Sequence, residues 1–156
     1  MPVTFAQAAL LEASDGNGTT YRRWQNHWID TPITWESQRW DYLAFDWDAL
    51  TAGTAAQSGQ FSVTFPREGD VGQLTALAVA NRWVVTLRVY QFDETASLSG
   101  PPVGMPLLDS AVGQCISASG EVTKVTWTMG SALVPVGSQF PPMLSTTSLI
   151  GVPCRL

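Results

Sequence analysis

At 156 residues, 45% hydrophobic and 13% charged, the chain has the size of one domain with a sizeable core and about half the usual share of ionic side chains. A net charge of −5 argues against a sequence-reading nucleic-acid binder, which needs a basic patch to hold phosphate. No apolar run approaches the ~20 residues of a membrane span, and the start, MPVTFAQAALLEASDG, lacks the basic region of a secretory leader.

The first expected element is a short N-terminal helix through about Ala13. Thr4 and Gln7 have capping-box spacing, and Phe5, Ala8 and Leu11 follow at helical steps. Ser14-Asp15-Gly16-Asn17-Gly18 breaks it with turn-formers.

Residues 20–48 are unusually aromatic and hold Trp24, Trp28, Trp35, Trp40 and Trp47. Ile33-Thr34-Trp35 reads as a strand, Glu36-Ser37-Gln38 as a turn and residues 39–47 as a second strand. The favoured reading of the rings is core plus subunit interface, because large aromatics dominate burial energy. The alternative is a row of exposed indoles forming a carbohydrate-binding platform. Glu36, Asp41, Asp46 and Asp48 raise a hydrolase or calcium-site reading, disfavoured because no glycine-bearing calcium loop surrounds them. Residues 49–60 are small and polar and read as a connecting loop.

Next comes a strand–helix–strand unit. In FSVTF, Phe61, Val63 and Phe65 share one face, and Pro66 ends the strand. Asp70 stands at the N-cap with Gln73 three residues on, and Val71, Leu74, Leu77 and Ala78 form one apolar stripe. Asn81 is the expected stop, in left-handed backbone. From Trp83 the period returns to two, with Val85, Leu87 and Val89 on one face.

Residues 93–113 read as a long, proline-broken connection in which Leu107 and Leu108 anchor to a neighbour. A short strand over residues 114–117 and a turn at Ala118-Ser119-Gly120 lead into a strand with Val125, Trp127 and Met129 on one face. The domain is thus expected to cover residues 1–133. Residues 134–156 carry Pro135, Pro141, Pro142 and Pro153 beside Phe140, Leu144 and Ile150. They read as an extended apolar arm laid on the chain's own surface or on a partner's.

Cys115 and Cys154 read as free buried thiols, and His27 is the lone histidine, too few ligands for a closed zinc site. There is no phosphate loop, dinucleotide fingerprint or nucleophile elbow. The expectation is therefore a non-enzyme with no catalytic, cofactor-binding or metal residues. Sparse charge at ordinary hydrophobicity points to an oligomer. The candidate interface residues are Trp24, Trp28, Trp35, Trp40, Trp47, Phe140, Leu144 and Ile150.

Three stretches in order carry a family resemblance: the aromatic hairpin ITWESQRWDYLAFDWDAL, the strand and acid-capped helix QFSVTFPREGDVGQLTAL, and the long strand NRWVVTLRVYQFDE. Together, over residues 33–95, they resemble β-rich tail-tip and baseplate-hub proteins of tailed bacteriophages. The nearest likeness is to the small phage family related to the N-terminal hub domain of lambda-like minor tail protein L. The resemblance implies a mainly β, tail-tube-like barrel or sandwich with one central flanking helix. It implies a trimeric or hexameric ring around the tail channel, joined to other tail and baseplate proteins. It implies no catalysis and no cofactor, and DNA passing the channel without specific binding. Such a subunit sits in the virion tail tip after assembly in the bacterial host cytoplasm. The iron–sulfur cluster of longer tail-tip proteins is not carried over, because Cys115 and Cys154 are the only cysteines.

Overall fold

A computed structural model describes residues 4–15, 17–48, 60–96 and 100–130 of the chain. The fold is mainly β: β1 (Phe5–Ser14), β2 (Thr20–Gln25), β3 (Ile33–Trp35), β4 (Gln38–Tyr42), β5 (Asp46–Trp47), β6 (Phe61–Pro66), α1 (Val71–Ala80), β7 (Val84–Asp93), β8 (Leu107–Gly120) and β9 (Lys124–Gly130). The nine strands form one sheet in the order β3-β4-β2-β1-β7-β8-β9-β6-β5. All neighbours are antiparallel except β2 and β4.

The N-terminal segment is a strand, which corrects the expected helix. β1 pairs with β7 along its whole length, from Phe5 opposite Asp93 to Ser14 opposite Val84. Ala8, Ala9, Leu10 and Leu11 are all buried, the even-numbered pair on one face of the sheet and the odd-numbered pair on the other. A strand covered on both faces shows an unbroken apolar run, and a short run of that kind does not separate strand from helix. Asp15 turns the chain into β2 by accepting at Oδ1 from the N–H groups of Asn17 (2.7 Å) and Thr19 (3.1 Å).

The strand–helix–strand unit forms as expected, but Leu77, read as part of the apolar stripe, is 50% exposed, and two corrections fall at the helix ends. The carboxylate of Asp70 makes no cap; it meets Arg22 of β2 at 2.8 Å. Asn81 has φ −98°, and the left-handed residue is Arg82, at φ +49°. Trp83 N–H donates to Ala78 O (3.0 Å) and Arg82 N–H to Val79 O (3.3 Å), the double bond pattern of a Schellman end.

β8 corrects the reading of residues 93–113 as a connection. It runs from Leu107 to Gly120, pairing with β7 on one side and β9 on the other. Bulges between Val89 and Tyr90, opposite Leu108, and at Ile116 shift its register, which blurs the period of two. The turn into β9 falls later than expected, where Glu121 N–H donates to Lys124 O at 2.8 Å.

The sheet is wrapped around one core. Residues of β1, β2, β6, β7, β8, β9 and α1 meet there, including Leu11, Trp24, Phe65, Leu74, Leu87, Cys115 and Trp127. Trp24 of β2 lies 5.5 Å from Phe65 of β6 and 6.2 Å from Trp127 of β9, ring centre to ring centre, although β1, β7 and β8 separate β2 from β9 in the strand order, and β9 also separates it from β6. The chain between β4 and β5 bridges the two ends of the strand order. Leu43 N–H donates to Gln25 O of β2 at 2.9 Å, and Asp46 then pairs with Thr64 of β6. The Val71, Leu74 and Ala78 side of α1 packs into this core, and Thr75 Oγ1 accepts from Trp127 Nε1 at 2.9 Å. The inward faces of β6, β7 and β9 are those expected from the sequence. No helix among the described residues is long and apolar enough to cross a membrane.

Candidate functional site

The tryptophan-rich segment builds a second, outer core rather than an exposed row. Ala8, Leu10, Tyr90 and Phe92 point outward from β1 and β7, and Trp28, Ile33, Trp40 and Met105 cover them. Gln25, wholly buried, holds this cover in place. Its Oε1 accepts from the N–H groups of His27 and Trp28, both at 2.8 Å. Its Nε2 donates to Trp28 O (2.7 Å) and Thr31 O (3.1 Å). All four hydrogen-bonding positions of the amide are thereby used.

Trp28 stacks on Phe92 at 5.4 Å, and His27 meets both rings edge-on at 4.9 Å. Burial lowers the His27 pKa from its ordinary 6.5, against a smaller opposing pull from Glu94. Trp40 donates its indole N–H to Trp35 O at 3.3 Å, and Trp35 meets Tyr90 edge-on at 5.4 Å.

Of the candidate interface residues, Trp24, Trp28 and Trp40 are therefore buried within the chain and present no face to a partner. This corrects their assignment as interface and removes three of the five rings that a sugar-stacking row would use. Trp35 and Trp47 are half-buried, on opposite flanks of the strand order. Trp47 lies beside Leu87, Val89 and Ala111. Phe140, Leu144 and Ile150 lie outside the described residues, as do Cys154 and the connecting loop over residues 49–59.

The acidic residues do not converge. Glu36 binds Arg88 of β7 at 3.0 Å, Asp41 binds Arg39 at 3.0 Å, and Asp48 accepts from Ser62 Oγ at 3.0 Å. Among the described residues, no three His, Cys, Asp or Glu side chains are grouped to hold a metal ion. Three arginines line a shallow depression with Tyr21, and each is matched by an acid: Arg22 by Asp70, Arg23 by Glu12 (2.7 Å) and Arg39 by Asp41. Such pairing leaves little net field to attract an anion. Cys115 is buried, and desolvation pushes its thiol up to about 11.

Sequence reasoning singled out Leu107 and Leu108 but missed that they open the outer side of a strand, β8, with Val112 and Ile116. Leu107, Leu108, Val112 and Ile116 are 51%, 47%, 58% and 44% exposed. The signal was present in the small inward residues Ala111, Gly113 and Cys115, which alternate with outward Val112, Gln114 and Ile116. Gly113 is required there, since a Cβ would come within 2.8 Å of Gly130 O and 3.0 Å of the Phe61 ring.

No protein-family model matches the chain, and no curated protein matches it.

Proposed function

We propose that this chain is a structural subunit of a bacteriophage tail tip or baseplate, without catalytic activity. In this reading it is one member of a trimeric or hexameric ring around the tail channel. It joins the tube, the hub and peripheral baseplate proteins. The observation that carries the reading is the wrapped sheet, whose two ends are bridged by the segment from β4 to β5, with α1 packed into its core. We read this wrapped sheet as a tail-tube-like barrel, in keeping with the three stretches that resemble hub proteins.

Composition supports the same reading. A sparsely charged surface suits a protein that is covered by neighbours after assembly. A net charge of −5 suits a channel wall past which DNA slides without sticking, since like charges repel. Half-buried Trp35 and Trp47, with Leu144 and Ile150 of the C-terminal arm, are the side chains assigned to contacts between subunits. The outer row of β8 is the surface that remains to be covered.

Removal of the coding sequence from a phage that carries it tests the role. The expected result is particles with unfinished tails, rescued by supplying the protein, and antibody against it labelling the tail tip of intact particles. Infective particles with complete tails in its absence would overturn the proposal.

A further inference from the structure

We infer that the outer face of β8 is the docking surface for this chain's own C-terminal segment, with residues 131–140 running along it from Ile116 toward Leu107. The inference is independent of the ring.

β8 is an interior strand of the sheet, yet its outer face carries Leu108, Val112 and Ile116 in the open. Asp109 is the only charged residue in its fourteen. Ser110 and Gln114 stand between the three apolar residues, but exposed strand faces of soluble proteins carry mainly polar side chains, and three large apolar side chains exposed along one strand face mark a surface that something covers. Elsewhere on the outside of the same sheet, the outward residues of β1 and β7 lie beneath Trp28, Ile33 and Trp40. β8 has no such cover among the described residues.

The chain itself arrives at that place. β9 runs antiparallel to β8 and ends at Gly130, opposite Gln114. Its direction at that point is along β8 toward Leu107. Gly130 already touches the row: a Cβ there would stand 3.1 Å from the Ile116 side chain. From Ile116 to Leu108 a strand covers about 27 Å. Ten extended residues reach roughly 33–36 Å, so residues 131–140 suffice to span the row.

The chemistry of the segment matches. Residues 131–156 carry one charged side chain, Arg155, and residues 131–140 hold Ala132, Leu133, Val134, Val136 and Phe140. Pro135, Pro141 and Pro142 lack the N–H of a ladder, so a long hydrogen-bonded strand is excluded and the contact is made chiefly by side chains. Burial of apolar area on both partners drives it.

Photo-crosslinking in the full chain tests the proposal. Phe140→p-benzoylphenylalanine is irradiated, and the attached peptide is identified by mass spectrometry. The expected product is a single chain joined to residues 107–117. Val112→Lys in the same background puts a charge on the row and cuts the yield about tenfold, the scale of one lost Val burial. Far-UV circular dichroism checks that the sheet is unchanged, and Val112→Ser replaces the lysine variant if it is not. Attachment to residues 107–117 of a second chain only assigns the face to another copy and overturns the proposal. So do attachment elsewhere on the chain, absence of an adduct, or a yield indifferent to both substitutions.

Discussion

Ser37 and Glu36 form the two-residue turn between β3 and β4, and both take left-handed backbone, at φ +62° and +50°. The tight turn demands positive φ at both positions, where Asn-Gly is preferred. Ser37→Gly is therefore expected to stabilise the fold by about 0.5–1 kcal/mol, read as a higher thermal midpoint. Arg82 holds the same conformation after α1, and Arg82→Gly should act in the same direction. His27 supplies a pH dependence. Because burial lowers its folded pKa, the unfolded chain takes up the proton more readily. Its contribution to stability is full above the ordinary 6.5 and is lost as pH falls through that value. Urea unfolding midpoints on either side should show this loss, and His27→Gln should flatten it. Cys115, with its thiol raised to about 11 and buried, is expected to escape alkylation in the native protein and to react on unfolding, as peptide mapping would show.

α1 is joined to the sheet by one polar contact inside an apolar core. Thr75 Oγ1 donates to Val71 O at 2.7 Å and accepts from Trp127 Nε1 at 2.9 Å. Thr75→Val keeps the volume and leaves the buried indole N–H without its acceptor. The expected cost is about 1–2 kcal/mol in chemical denaturation, with the fold retained. α1, β6, β7 and β9 were legible in the sequence because each has one buried face and a clean period: Phe61, Val63 and Phe65, or Val125, Trp127 and Met129. β1 was not, because Ala8 to Leu11 are buried on both faces and the alternation vanishes. β8 was not, because its outward Val112 and Ile116 are apolar where a polar residue marks an open face, and bulges interrupt its register. The tryptophans were legible as burial but not as position. Nothing in their spacing separates Trp24, in the inner core, from Trp28 and Trp40, in the outer one. That division follows from Gln25, whose buried amide fixes the residues after β2.

At the scale of the molecule, the sheet satisfies its own interior and leaves specific surfaces unfinished. The two cores consume Trp24, Trp28 and Trp40, so the proposed assembly contacts fall to Trp35, Trp47 and the arm beyond residue 140, with residues 131–140 proposed to cover β8. The proposed ring closes strand edges and apolar surface together, as cyclic assemblies do. Mass in solution, measured by light scattering on the purified full chain over a wide concentration range, tests this most directly. The account predicts a species three or six times the 16.9 kDa chain mass at high concentration. A single 16.9 kDa particle at every concentration would contradict it.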